Sequence, residues 1–203
     1  ASFGSSGSLF AQLSQRAPFD MFLSADMDYP AKLDQLGCVA PGTTFPYARG
    51  RIALWVVNAS PLDLKRLGDD ALTDPSVQRI AMANPRHAPY GRSAQAALKS
   101  LGIWDRVRDR LVLGESVSQA AQFVESGSAE IGILAYSLTR SESLKGKGRA
   151  RLLPLESYHP MIQGGVILEW ARDHAAAEAF RDFMLGPKGR KLLQQHGFLM
   201  PGE

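Results

Sequence analysis

FGSSGS occupies residues 3–8 and is followed at once by the helical spacing of Leu9, Phe10 and Leu13. Glycines let a ligand approach the backbone closely, and the first N–H groups of a helix have no acceptor within that helix. Small hydroxyl residues between glycines, directly before a helix, therefore predict an anion-binding site. Such a site normally follows a strand, whereas only three residues precede Gly4.

The composition is that of a globular protein of ordinary charge. Its 203 residues are 45% hydrophobic, which is enough for one large domain or two small lobes. The 23 basic and 20 acidic residues leave a net charge of +3. The sequence contains no basic stripe with interleaved aromatic residues, so it does not predict a nucleic-acid partner. The single cysteine, Cys38, excludes an internal disulfide, and four scattered histidines predict no zinc site. We expect no cofactor.

Predicted strands and helices alternate along the chain. Two apolar runs, Arg51–Val57 and Gln163–Trp170, have the composition of strands that are buried on both faces. Further strands are predicted at Arg79–Ala83 and Glu130–Ala135. Strands that are buried on both faces are typical of parallel sheets, so we predict an α/β protein with mostly parallel sheets. The glycines and basic residues of Leu144–Ala150 predict an exposed loop.

A long helix is predicted after Asp173, which is a suitable N-terminal cap. Ala177, Phe180, Phe183 and Met184 recur at helical spacing within it. We therefore expect these four residues to form its buried face.

At three places a loop leads into the N-terminus of a predicted helix. They are Gly4–Ser8, Pro89–Arg92 and Glu115–Val117, and the last two directly follow predicted strands. Ligands of α/β proteins bind outside the carboxyl ends of strands. If the three starts converge, they offer N–H groups and positive dipole ends to one small anion. Each start also has a purely structural explanation as a cap, a turn or a flexible end; Ser116, for example, is a suitable cap for the helix that follows it.

Serine hydrolase chemistry is the enzymatic alternative. The motif G-x-S-x-G fails at residues 4–8 because Ser8 stands at the place of its last glycine. The four histidines are explained as loop or helix-end residues, and no pair of carboxylates indicates general acid–base catalysis. We therefore expect that the protein is not an enzyme.

Six segments spread over essentially the whole chain form a collinear set of matches to one family. They are Phe3–Gly7, Ala17–Asp26, Tyr47–Arg51, Asn84–Gly91, Gly114–Gln119 and Gly197–Phe198. In these segments the sequence resembles the periplasmic molybdate-binding proteins of ABC transporters. The resemblance implies a two-lobe, type II periplasmic-binding-protein fold, with residues 1–49 and 160–203 in lobe I and residues 50–159 in lobe II. It also implies that the ligand binds between the lobes and that they close by a hinge motion.

The matching motifs assign the ligand-binding roles of the resembled family to particular residues of this sequence. The resemblance implies that Ser6 donates its hydroxyl and its main-chain N–H to the oxygens of an oxyanion. It implies that Tyr90 and Val117 donate main-chain N–H groups, and that Ser5 is a weaker candidate. Tyr136 is left out because it lies one place from the tyrosine position of some relatives, and neighbouring strand residues point to opposite faces. The implied ligand is molybdate or tungstate, bound by a periplasmic monomer that delivers it to a membrane permease.

Members of the resembled family begin with a further strand and helix, which the given sequence lacks together with a signal peptide. We expect an unpaired sheet edge as the consequence.

A different class of function is an oxyanion-sensing effector domain of a transcription regulator. That alternative would come with a helix-turn-helix, which is not found in this sequence.

Overall fold

The computed structural model describes residues 1–203. Its strands are β1 (Met21–Ser24), β2 (Phe45–Gly50), β3 (Ile52–Val57), β4 (Ile80–Ala83), β5 (Leu111–Gly114), β6 (Ile131–Ala135), β7 (Gly148–Leu152) and β8 (Met161–Ile167). Its helices are α1 (Ser6–Leu13), α2 (Asp28–Gln35), α3 (Leu64–Leu67), α4 (Pro89–Ser100), α5 (Trp104–Val107), α6 (Val117–Glu125), α7 (Tyr136–Thr139), α8 (His174–Leu185) and α9 (Pro187–Gln195). Short 3-10 helices cover Gly68–Thr73, Arg108–Arg110 and Leu155–Ser157.

The chain divides into two compact units. Unit 1 comprises residues 1–50 and 161–203, and unit 2 comprises residues 51–160. Each unit combines one sheet with helices. The predicted α/β class is therefore confirmed.

Unit 1 contains a three-stranded sheet in the order β1-β8-β2, and both pairings are antiparallel. Val166 of β8 packs with Leu33 of α2, whereas the next residue, Ile167, packs with Ala177 of α8. Both faces of the central strand are thus covered. The prediction of mostly parallel sheets is wrong for this unit. A continuous apolar run indicates that a strand is buried on both faces, but it does not indicate whether the neighbouring strands run parallel or antiparallel to it.

The predicted buried face of α8 is correct at two positions and wrong at two. Ala177 and Met184 are buried, but Phe180 and Phe183 are 50% and 46% exposed. Neighbouring strands are only about 4.8 Å apart, so a three-stranded sheet offers a narrow surface. This sheet therefore covers only a narrow stripe of α8, which includes Ala177 and Met184 but not the two phenylalanines.

Unit 2 contains a five-stranded sheet in the order β5-β4-β6-β3-β7. β4 is parallel to β5 and β6, whereas β3 is antiparallel to β6 and β7. Ala120 and Val124 of α6 pack in one cluster with Ala81, and Ile80 and Met82 are also fully buried. The prediction of parallel strands is therefore correct for the pairs that involve β4 and wrong for the pairs that involve β3.

The region predicted as an exposed loop is partly a strand. Gly148, Arg149 and Ala150 belong to β7, which lies at the edge of the sheet and pairs with β3. Basic residues are compatible with an edge strand, because its side chains reach solvent. Composition alone did not distinguish this strand from a loop.

Candidate functional site

In unit 1, the serines of the glycine-rich stretch form the start of α1. Ser5 is the N-cap, since its Oγ accepts a hydrogen bond from Ser8 N at 3.3 Å and lies 2.7 Å from Ser8 Oγ. Ser6 is the first helical residue, and Ser5 and Ser6 are both buried. The N–H of a first helical residue points out of the N-terminal end, where the helix dipole favours an anion.

The side chain of Ser6 is held by a second segment of unit 1. Its Oγ accepts a hydrogen bond of 3.0 Å from the main-chain N–H of Ala25. Ala25 directly follows β1, so Ser6 lies at the carboxyl end of that strand. The sequence prediction did not assign a role to Ala25, because its N–H meets Ser6 only when two segments 19 residues apart are brought together by the fold.

In unit 2, Asn84 shapes the loop between β4 and α4. Its Oδ1 accepts a hydrogen bond from Arg86 N at 3.0 Å, and its carbonyl oxygen accepts one from Ala88 N at 3.0 Å. Its own N–H donates to the carbonyl oxygen of Gly114 at 2.8 Å, which ties the loop to the end of β5. Asparagine favours such a loop because its short side chain bonds nearby backbone groups.

Tyr90 is the second residue of α4 and is buried. Pro89 precedes it and has no N–H, so Tyr90 supplies the first main-chain N–H of this helix. Gly91 allows the first turn to lie against the end of β4, because a Cβ at this position would be 2.3 Å from the carbonyl oxygen of Ala83. The proline, tyrosine and glycine thus have distinct roles in one helix start.

Val117 is the first residue of α6 and is half-buried. Ser116 caps the helix by accepting a hydrogen bond of 3.2 Å from Gln119 N, as predicted from the sequence. Gln119 Oε1 in turn accepts a hydrogen bond of 2.6 Å from Glu115 N. These two hydrogen bonds use the N–H groups of Gln119 and Glu115. The capping interaction therefore does not use the N–H of Val117.

The structure brings Tyr90 and Val117 to the same edge of one sheet. β4 and β5 are parallel neighbours, and their last residues, Ala83 and Gly114, are paired. The helices that follow these strands therefore start side by side. His87 Nε2 also lies 3.2 Å from Glu115 Oε2, which joins the two loops. Ser5 and Ser6 belong to the other unit.

Tyr136 is expected on a strand from the sequence, but the structure places it in a helix. It begins α7 directly after β6 and is not part of the strand, so the expected alternation of faces does not apply to it. Its ring is 4.8 Å from Arg51 Cζ and 5.6 Å from Arg140 Cζ. These distances are typical of cation–π contacts.

No group of three or more histidine, cysteine, aspartate or glutamate side chains is placed to hold a metal ion. No helix combines the length and the apolar character that crossing a membrane requires.

Comparison with known proteins identifies related sequences. Residues 1–199 match the family described as bacterial extracellular solute-binding protein. The molybdate-binding protein ModA of Rhodobacter capsulatus is 34% identical over 197 residues, which are 97% of this chain and 75% of ModA. The ModA protein of Azotobacter vinelandii is also 34% identical, over 97% of this chain and 77% of its own length.

Comparison with solved structures agrees with the sequence matches. The periplasmic molybdate-binding protein of Azotobacter vinelandii has a TM-score of 0.89 and 35% identity, covering 98% of this chain and 86% of that one. The sulfate-binding protein SubI of Mycobacterium tuberculosis has a TM-score of 0.78 at 17% identity, covering 99% and 75%, and shows the fold alone. The predicted α/β fold of a periplasmic binding protein and the predicted resemblance to molybdate-binding proteins are thus confirmed, whereas the mostly parallel sheets are not. The chain belongs to the bacterial extracellular solute-binding protein family.

Proposed function

We propose that this protein is the solute-binding component of an ABC importer, which captures molybdate or tungstate in the periplasm and delivers it to a membrane permease. The observation that carries the proposal is the pair of helix N-termini at Tyr90 and Val117, which lie at one edge of the sheet of unit 2. The 34% identity to two molybdate-binding proteins supports the choice of ligand.

The proposed donors to the oxyanion are the hydroxyl and N–H of Ser6 and the main-chain N–H groups of Tyr90 and Val117. They contact the oxygens of the ligand, so none of them is a direct ligand of the metal. Ser5 contributes by capping α1, because its Oγ already binds Ser8. Helix N-termini are suited to a dianion, since oriented N–H groups and the helix dipole attract negative charge without a cationic side chain.

Selection between oxyanions of equal charge then depends on size. Donors that are fixed by a sheet and by helix caps cannot move far toward a smaller ion, so sulfate makes longer and weaker hydrogen bonds than molybdate. Binding without catalysis is proposed because the matched relatives are solute-binding proteins. We propose that the protein acts as a monomer.

Thermal unfolding with and without oxyanions tests the proposal. The full-length protein is unfolded alone and with molybdate, tungstate, sulfate or phosphate, and the affinities are measured by calorimetric titration. Saturation at about 100 times Kd should stabilise the protein by roughly 2.7 kcal/mol. At the same ligand concentration, we expect this shift with molybdate and tungstate and a smaller one with sulfate. The absence of a shift with both metal oxyanions contradicts the proposal.

A further inference from the structure

A group of polar residues in unit 1, three of them buried and Asp26 half-buried, supports the chain segment that holds Ser6. We call it the Ser24 network; it consists of Ser24, Asp26, Tyr47 and Gln163. Ser24 is fully buried, and Tyr47 and Gln163 are 8% and 3% exposed. The Tyr47 hydroxyl lies within hydrogen-bond distance of two acceptors, 2.8 Å from Gln163 Oε1 and 3.2 Å from the carbonyl oxygen of Ser24.

Side-chain hydrogen bonds also fix the turn after β1. Ser24 Oγ donates to Asp26 Oδ1 at 3.0 Å and accepts from Asp26 N at 3.3 Å. Asp26 Oδ1 accepts a further hydrogen bond of 3.2 Å from Tyr29 N, in the first turn of α2. Ala25 lies between these two residues. Its main chain is therefore fixed on one side by Ser24 and on the other by Asp26.

The N–H of Ala25 constrains the hydroxyl of Ser6. It donates to Ser6 Oγ at 3.0 Å and so uses one of the two lone pairs of that oxygen. The hydroxyl hydrogen of Ser6 must then point away from Ala25. A hydroxyl oriented before the ligand arrives loses less conformational freedom on binding than one that rotates freely.

We propose that Tyr47 is a positioning residue for the bound oxyanion and that it acts through Ala25 and Ser6. The Tyr47 hydroxyl shares its single hydrogen between Gln163 Oε1 and the carbonyl oxygen of Ser24, and so restrains that carbonyl oxygen. The turn carries the N–H of Ala25, and this N–H orients the hydroxyl of Ser6 as a donor. Tyr47 itself does not touch the ligand in this scheme. The inference rests on the proposed function, because it takes Ser6 as a donor to the oxyanion.

A double-mutant cycle with molybdate tests this role. The dissociation constant is measured by calorimetric titration for the wild-type protein, Tyr47→Phe, Ser6→Ala and the double variant. Loss of a hydrogen bond that positions a donor should raise Kd about fivefold in Tyr47→Phe. In the Ser6→Ala background the same change should have almost no effect, since Tyr47 acts through Ser6.

Thr43→Val is the matched control within the same unit. Thr43 is buried like Tyr47, and its Oγ1 donates to the carbonyl oxygen of Ala40 at 2.7 Å. It also lies 3.2 Å from the carbonyl oxygen of Ile167, at the end of β8 that pairs with the start of β1. We expect Thr43→Val to lower the melting temperature and leave Kd unchanged. Ser24→Ala is a second test variant and should show the same coupling to Ser6 as Tyr47→Phe.

The outcomes separate this inference from the proposed function. If the wild-type protein binds molybdate and Tyr47→Phe binds equally well, the positioning role is wrong and the proposed function stands. An equal loss in the wild-type and Ser6→Ala backgrounds also overturns the positioning role, because Tyr47 then acts independently of Ser6. If the wild-type protein binds neither molybdate nor tungstate, the proposed function fails and this role fails with it.

Discussion

Units 1 and 2 present their candidate donors by different structural means. In unit 2, parallel β4 and β5 lead into α4 and α6, so the pairing of two strands brings two main-chain N–H groups to one edge. In unit 1, the sheet is wholly antiparallel, and the candidate donor is Ser6, whose hydroxyl is held by Ala25 after β1. One unit therefore relies on the backbone, and the other also relies on a side chain.

This difference predicts a different sensitivity to mutation. Main-chain donors at a helix start are displaced only by changes that move or remove the backbone group. A side-chain donor can be deleted with little change in the backbone. Substitutions that alter the backbone in unit 2 should therefore have larger effects than the deletion of a hydroxyl in unit 1.

Gly91→Ala should have the largest effect. The added Cβ would lie 2.3 Å from the carbonyl oxygen of Ala83, so the start of α4 must shift. We expect a loss of about 2 kcal/mol in stability from overpacking, and molybdate affinity about 100-fold weaker because the N–H of Tyr90 moves. Urea unfolding and calorimetric titration measure the two quantities.

Gly4→Ala in unit 1 is the control for Gly91→Ala. Its added Cβ would lie 3.5 Å from Leu9 Cγ, which is an ordinary contact distance. We expect a stability change within about 0.5 kcal/mol. Equal losses in the two variants would contradict the proposed difference between the units.

Val117→Pro removes one main-chain donor of unit 2 and keeps the helix. Proline is favourable at the first helical position, and Ser116 has φ −148° and ψ 168°, which suit the residue before a proline. We expect molybdate affinity about 30-fold weaker, equivalent to about 2 kcal/mol for a hydrogen bond to a charged ligand.

Val117→Ala controls for the lost side chain, since it keeps the N–H, and should bind like the wild-type protein. Titration of both variants decides the prediction. Similar affinities for Val117→Pro and Val117→Ala would exclude this N–H as a donor.

Ser6→Ala removes the hydroxyl donor of unit 1 and keeps the N–H of the residue. We expect affinity about tenfold weaker, a smaller loss than in Val117→Pro, because the main-chain N–H of residue 6 still binds the ligand. Ser14→Ala is the control at the other end of α1, where Ser14 Oγ donates to the carbonyl oxygen of Phe10 at 2.8 Å. If both variants bind equally, Ser6 is not a donor.

The pH dependence should be the smallest effect. Main-chain amides and serine hydroxyls do not change charge between about pH 6 and 9, so molybdate affinity should vary less than about twofold over this range. Calorimetric titration at several pH values measures it. A larger change would contradict a site built only from main-chain amides and serine hydroxyls.

Local sequence signals predicted the helix starts well. Ser116 caps α6 through Gln119 N, and Asp173 caps α8 by accepting from Ala176 N at 2.9 Å. Such caps depend on residues close in sequence, so their patterns can be recognised without a structure. The roles of Ser6, Tyr90 and Val117 came from the family resemblance and remain predictions until they are tested.

The role of Ala25 could not be predicted in this way. Its N–H meets Ser6 across a separation of 19 residues, and the Tyr47 contact with Gln163 spans 116 residues. Hydrogen bonds between distant segments leave no periodic pattern in the sequence, particularly where a main-chain group is the donor. Only the folded chain reveals them.

The sequence by itself determined the α/β class, the central strands, several helix starts and the resemblance to molybdate-binding proteins, because these depend on local composition and collinear motifs. Strand direction, the narrow buried stripe of α8 and the Ser24 network were decided by the tertiary structure. Apolar runs record that a strand is buried, whereas its partner and direction depend on where the chain returns. β8 illustrates this: it follows unit 2 in the sequence and completes the sheet of unit 1.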